Sequence, residues 1–395
     1  MKSVGIICEC NPFHSGHRYL IEQARASGAD CIVAVMSGYF TQRGEAAVAD
    51  PYSRARALLG GGADLVLELP FPYSCAGAEF FAGGGVDILS RLSVDELWFG
   101  SECGDINLLR RGAQIAMDAS FMQQYEQRTA STEGTAQAYF DLLSEKLGGD
   151  VRLSSNDILG ISYLCAIQRQ GSGMKPVTVL RKGSAYLESI LQTDRHPSAT
   201  ALRHLLLTEG LEKTVPYLLP ETAEALACAT DEKSAMASLK HAERAVLAHF
   251  RMQTAETVST IAELEGGLGN RLIHAAGQAC SIEEMIRLAS TKKYTTSRIQ
   301  RGILFSLIGT ERADCKCPSA FVRVLAANRV GCAFLAEKRK TSRIATVTRQ
   351  AEIPDNTQAK RQETLHRRAV GFYTLCLPTP LDPSTLLRKN PLIFK

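Results

Sequence analysis

Four short, largely apolar runs, Val4–Cys8, Cys31–Met36, Leu65–Pro70 and Glu96–Phe99, recur through the first quarter of this 395-residue chain, with helical periodicity between them. Runs this short and rich in β-branched residues suit strands buried on both faces. Strands alternating with helices at this spacing imply an α/β fold, a doubly wound parallel sheet with right-handed crossovers. Such a sheet takes its ligands at the carboxyl ends of the strands, where helix N-termini offer unpaired N–H groups and a positive dipole to phosphate.

The turn that leaves the first run is Asn11-Pro12-Phe13-His14-Ser15-Gly16-His17, followed by Tyr19, Leu20, Gln23 and Ala24 at helical spacing and a stop at Ser27-Gly28. Pro12 fixes one backbone angle and Gly16 admits a close ligand, so His14 and His17 become two imidazoles aimed at one place. Two donors on a phosphate as charge moves are what nucleotidyl transfer requires. A bare H-x-x-H is a weak signal; strand before, helix after, with Pro and Gly between, makes it a strong one.

Other strand ends point to the same crevice. The second strand runs into Ser37–Glu45, a polar loop with two glycines, and the fourth closes on Gly100-Ser101-Glu102. Ser154–Asp157 caps a helix from Ile158 to Gln168. A fifth strand, Pro176–Leu180, ends in Arg181-Lys182-Gly183, two cations suited to clamping a phosphate or carboxylate. Ser198-Ala199-Thr200-Ala201-Leu202-Arg203 opens a further helix. There Ser198 and Thr200 serve as caps, and Arg203 neutralises charge on a departing pyrophosphate.

Charge is unevenly distributed. Residues 1–286 hold 24 Lys and Arg against 34 Asp and Glu, whereas residues 287–395 hold 21 against 7. The basic segments Thr295–Arg301 and Glu337–Arg343, with Lys360, Arg361, Arg367 and Arg368, form the footprint expected of a phosphate-backbone surface. Residues 1–215 are therefore expected to form the nucleotide-handling domain, with 105–150 a helical insertion. Residues 216–395 are expected to be a mainly helical, basic, RNA-binding region, with helices over Ser234–Phe250, Thr257–Leu264, Ile282–Ala289 and Thr295–Ile308, and a strand over Phe321–Ala326.

The 12 cysteines include no C-x-x-C pair, and several sit in apolar periodic segments, which suits reduced thiols. Cys315 and Cys317 lack a second ligand pair, so no metal site is expected. No apolar stretch is long enough for a bilayer, and a cytoplasmic protein is expected.

Taken together, Val4–His17, Val35–Gly38, Gln42–Glu45, Phe99–Glu102, Ser155–Gly160, Arg181–Gly183, Ser198–Thr200 and Lys340–Ile344 resemble the bacterial tRNA(Met) cytidine acetate ligase family, within the HxGH nucleotidyltransferase superfamily. The resemblance implies that acetate is activated with ATP to acetyl-adenylate. The acetyl group then passes to N4 of the wobble cytidine of elongator tRNA(Met), with Mg²⁺ bridging phosphate oxygens. Carried over by motif, ATP lies along Ile7, Cys8, Glu9, Cys10, Asn11, Pro12, Phe13, His14, Ser15, Gly16, His17, Arg18, Tyr19 and Leu20. Gly100, Asn156, Arg181, Lys182, Ser198 and Thr200 complete its pocket, and His14, His17 and Arg203 are the catalytic groups. The chain departs from the family at Cys10, where an aromatic residue is usual, at Ser15 in place of Asn, and over Ser184–Glu188. Two other functions fit the residues less fully: a nucleotidyltransferase acting on a small phosphorylated metabolite, and a non-catalytic protein binding ATP and RNA.

Overall fold

The computed structural model describes residues 1–131, 135–149, 151–181 and 198–394. Its sheet is built outward from β1 (Ser3–Cys8), which pairs in parallel with β2 (Cys31–Ser37) and β4 (Glu96–Ser101). Beyond β2 lies β3 (Leu65–Leu69) and beyond β4 lies β5 (Lys175–Leu180), both parallel to their neighbours. The order β5-β4-β1-β2-β3 reverses direction between β1 and β4. That reversal opens a crevice at the carboxyl ends of the two strands, the usual ligand position of an open α/β sheet.

The pleat sorts the side chains. Val4, Ile6, Ile32, Ala34 and Val66 pack against α1 (Ser15–Ala26) and α2 (Pro51–Gly60). On the other face, Ile7, Val33, Val35, Leu67 and Leu97 pack with α3 (Ala78–Arg91) and the α7 helix (Ser155–Arg169). Burying each of the Val, Ile and Leu side chains among them contributes about 1.5–3 kcal/mol. Gly83-Gly84-Gly85 looks like a weak point in α3. A Cβ on Gly84 would lie 2.5 Å from Tyr73 Cγ and one on Gly85 2.6 Å from Ile7 Cδ1, so these glycines let the helix seat closely on β1 and on the turn that follows β3. Between β4 and α7 the chain forms α4 (Ile106–Ala116), α5 (Ala119–Ser131) and α6 (Thr135–Leu147). After β5, α8 (Ala199–Glu209) returns towards β1.

The sheet is mixed rather than purely parallel. β6 (Phe321–Ala327) joins β3 antiparallel, and β7 (Ala345–Val347) and β8 (Leu392–Ile393) pair with β6. Helix Pro220–Asp231 packs on α2, and helices Glu243–Arg251, Leu268–Gln278, Ile282–Ala289, Thr296–Ile308 and Thr357–Leu375 surround a core that includes Phe250, Leu272, Ile303, Phe305 and Tyr373.

Two helix expectations fail here for backbone reasons. Residues 234–242 are not helical: Ala235 bridges to Ala49, Ser238 N–H donates to the Cys376 carbonyl at 2.7 Å, and Lys233 and Met236 have positive φ. Thr257–Leu264 is a series of turns, in which Ile261 bridges to Glu311 and Glu263 has φ of 68°. Helix Leu268–Gln278 follows instead, after left-handed Gly266 and Gly267. Among the described residues no helix is long and apolar enough to cross a membrane.

Candidate active site

His14 is the N-cap of α1. Its Nδ1 accepts the Gly16 backbone N–H at 3.0 Å, and the His14 N–H donates to Nδ1 of His17 at 3.3 Å. This is a capping box made of imidazoles, where carboxylate and hydroxyl side chains are usual. Both Nδ1 atoms act as acceptors, so each neutral ring carries its proton on Nε2 and is a hydrogen-bond donor there. The rings lie 4.0 Å apart between centroids, tilted by 38°. Burial and the nearby Arg181 and Arg203 cations lower the His14 pKa from 6.5 to about 4. Burial, His14 and Arg181 push His17 well down. The pair is thus neutral at pH 7 yet ready to donate to an anion.

Two guanidinium groups complete the arrangement. Arg203, one turn into α8, donates to the Asn11 carbonyl at 2.9 Å and to Thr200 Oγ1 at 3.3 Å, and pairs with Glu45. Arg181, directly after β5, lies 3.1 Å from Glu102. A Cβ on Gly100 would come 2.9 Å from Arg181 Cγ, so the glycine makes room for that side chain. Asn156 Nδ2 donates to Glu102 at 2.7 Å, and the Ser154 hydroxyl donates to the same carboxylate. Each cation therefore rests on a carboxylate from a loop at a strand's carboxyl end.

The crevice is supported from beneath by Arg54 of α2, almost fully buried. It donates to the carbonyls of Ala49 at 2.9 Å, Glu9 at 2.7 Å and Ser37 at 2.9 Å, and to that of Gly38. The ends of β1 and β2 are thereby tied to one side chain. Burial raises the Glu9 pKa, against the Gln42 N–H that donates to it at 2.8 Å.

The residues expected along Ile7–Leu20 divide into two groups. Ile7, Cys8, Cys10 and Phe13 are buried in the core, so their backbone atoms are what remains to meet a ligand. Asn11 is also buried: its Oδ1 accepts from Val48 N–H at 2.8 Å, while its Nδ2 has no hydrogen-bond partner. Arg18 pairs with Glu221. Ser198 caps α8, its Oγ accepting from Ala201 N–H at 3.3 Å, while Thr200 steadies Arg203. Lys182, like Ser184–Glu188, lies outside the described residues. Sequence reasoning missed Arg54 as a brace and Glu45 and Glu102 as counter-ions. The available signal was that both acids sit in loops leaving the carboxyl ends of sheet strands, β2 and β4. A separate cavity of about 810 Å³ between α3, α7 and helix Thr296–Ile308 shares none of the crevice residues.

A doubly wound sheet with paired histidines at the N-terminus of the first helix is the architecture of a nucleotidyltransferase, and the HIGH Nucleotidyl Transferase family model matches residues 1–385. The chain is 34% identical over 409 residues to the tRNA(Met) cytidine acetate ligase of Anoxybacillus flavithermus, covering 98% of both chains. It is 33% identical to that of Bacillus subtilis, covering 96% of this chain and 94% of the relative. The crystal structure of Thermotoga maritima TmcAL bound with alpha-thio ATP superposes with a TM-score of 0.90 at 27% identity, covering 100% of both chains. The chain belongs to the tRNA(Met) cytidine acetate ligase family.

Proposed function

We propose that this chain activates acetate with ATP and transfers the acetyl group to N4 of the wobble cytidine in elongator tRNA(Met), in the cytoplasm. The observation that carries the reading is the pair of neutral, Nε2-protonated imidazoles flanked by Arg181 and Arg203 at the β1/β4 switch point. The names of the relatives supply the substrates.

In the first step an acetate oxygen attacks the α-phosphorus of ATP, the bond to the bridging oxygen breaks, and pyrophosphate leaves. Acetate is ionised at neutral pH, so no general base is needed. The task is to bring two anions together and hold the charge that moves to the leaving group. His14 and His17 donate from Nε2 to phosphate oxygens, and those bonds strengthen as charge develops on the oxygens. Arg203 and the N-terminus of α8 hold the pyrophosphate, while Gly100, Asn156 and Arg181, with Lys182, border the nucleotide. In the second step N4 of cytidine attacks the acyl carbon, the bond to AMP oxygen breaks, AMP departs and the amine gives up one proton to water. The base must leave its stack to reach the cleft.

Among the described residues no three His, Cys, Asp or Glu side chains gather into a metal-binding group. Mg²⁺ enters this reading as the counter-ion of ATP, held by the nucleotide's own phosphate oxygens. Residues 1–215 would carry the adenylation chemistry, with 105–150 as the insertion, and residues 216–395, which also lend strands to the sheet, the tRNA contacts.

The test is to incubate the protein with ATP, labelled acetate and tRNA and analyse nucleosides by mass. N4-acetylcytidine is expected, together with acetate-dependent pyrophosphate exchange into ATP. Exchange that needs a phosphorylated metabolite in place of acetate would overturn the reading.

A further inference from the structure

A second pocket, about 190 Å³, lies between β6, β7, the helix Thr357–Leu375 and the segment 387–390. Val324 pairs with Leu67 in the antiparallel β3/β6 ladder, which places Arg323 towards the carboxyl edge of β3, the edge that also carries the active-site crevice. Three inter-strand steps separate β1 from β6 in the sheet, roughly 15 Å.

Its lining is strongly cationic. Arg323, Arg349, Arg367, Arg388 and Lys389 face it with a single acid, Glu363. That acid is divided between two cations, pairing with Arg323 and with Arg367 at 2.7 Å. Lys389 is held by Asp50 at 3.2 Å and Glu232 at 2.6 Å, and Arg349 by Glu352 at 3.3 Å. Arg388 has no carboxylate within ion-pair distance among the described residues, and its side chain belongs to an exposed residue. Such an excess of arginine is stabilised by an oxyanion, and phosphate is the one whose geometry two guanidinium forks match. Pockets for whole small molecules span roughly 300–1,000 Å³, so this one suits a single charged group of something larger. The adjoining residues 287–395 carry the chain's positive excess.

We propose that this pocket grips a backbone phosphate of the tRNA substrate, with Arg367 and Arg388 as its principal donors. It acts as a positioning anchor a short reach from the cytidine in the crevice. The inference rests on the tRNA-acetylating reading above and adds where the polynucleotide is held.

The test uses the full chain and an unmodified elongator tRNA(Met) transcript, with binding measured between about 50 and 200 mM salt. The double variant Arg367→Gln/Arg388→Gln is expected to bind about tenfold more weakly and to lower the slope of log affinity against log salt by about 1 to 2. Its acetate-dependent pyrophosphate exchange should stay at the wild-type rate. The single variant Arg388→Glu, at an exposed site with no ion pair to lose, should shift both binding quantities the same way. Unchanged affinity and slope in both variants would overturn the proposal. So would inorganic phosphate stabilising the wild type but not the double variant while tRNA binding is unaffected, because the site would then serve a free anion. If the wild type shows no acetate-dependent exchange, the ligase reading fails, and the pocket is judged on the tRNA-binding arm alone.

Discussion

Arg203 Nη2 and Glu45 Oε2 are 3.1 Å apart, so the cation best placed to receive pyrophosphate is held in the free protein by a carboxylate. A phosphate entering the crevice must displace Glu45 from the guanidinium. Glu45→Gln is therefore expected to tighten pyrophosphate binding by about two- to fivefold, the range of a partly exposed ion pair. Product inhibition of the exchange reaction measures it, and weaker inhibition would show that Glu45 orients Arg203 instead of competing for it.

The two imidazoles donate where charge accumulates in the transition state. Removing one such donor typically costs about 100- to 1,000-fold in turnover. His17→Ala should lower kcat of acetate-dependent exchange by that factor with little change in the KM for ATP. A loss confined to KM would make the residue a ground-state binder only.

Stability should depend on these same rings. Burial and two guanidinium groups hold His14 down to about 4, against 6.5 in an unfolded chain, and His17 is shifted the same way. Between those values the unfolded chain binds a proton that the folded chain does not. The stability these rings confer is complete above about 6.5 and is lost as pH falls towards 4. His14→Asn keeps a side chain able to cap α1 while removing one titrating group. Its melting temperature should fall less steeply over that window than the wild type's, and parallel curves would count against the assignment.

Arg54 makes a further prediction, about the scaffold. Arg54→Met retains much of the volume but leaves the carbonyls of Glu9, Ser37 and Ala49 without their buried donor. A destabilisation of about 3 kcal/mol or more is expected by denaturant titration. Loss of exchange activity should appear even in the fraction that remains folded, because the loops after β1 and β2 lose their common tie.

The five parallel strands and the histidine turn were legible in the sequence because their signals are local. A short, mostly apolar run rich in β-branched residues and bounded by turn residues favours a strand over a helix, and Pro12 and Gly16 state the geometry of the loop directly. What was not legible depends on partners far away in the chain. Nothing near Phe321–Ala327 says that it will lie against β3, and nothing near Arg54 says that four carbonyls from the ends of β1 and β2 and the approach to α2 will converge on it. Residues 234–242 show the same limit from the other side. Their composition favours helix, but Ala49 and the Cys376 carbonyl take their backbone groups first.

The antiparallel seat of β6 beside β3 has a consequence for synthesis. A nascent chain exposes the outer edge of β3 from the moment Leu69 emerges, and the strand that covers it is not made until Phe321. Until then the growing polypeptide carries an open hydrogen-bonding margin, the kind of surface that chaperones shield and that recruits stray strands from neighbouring ribosomes.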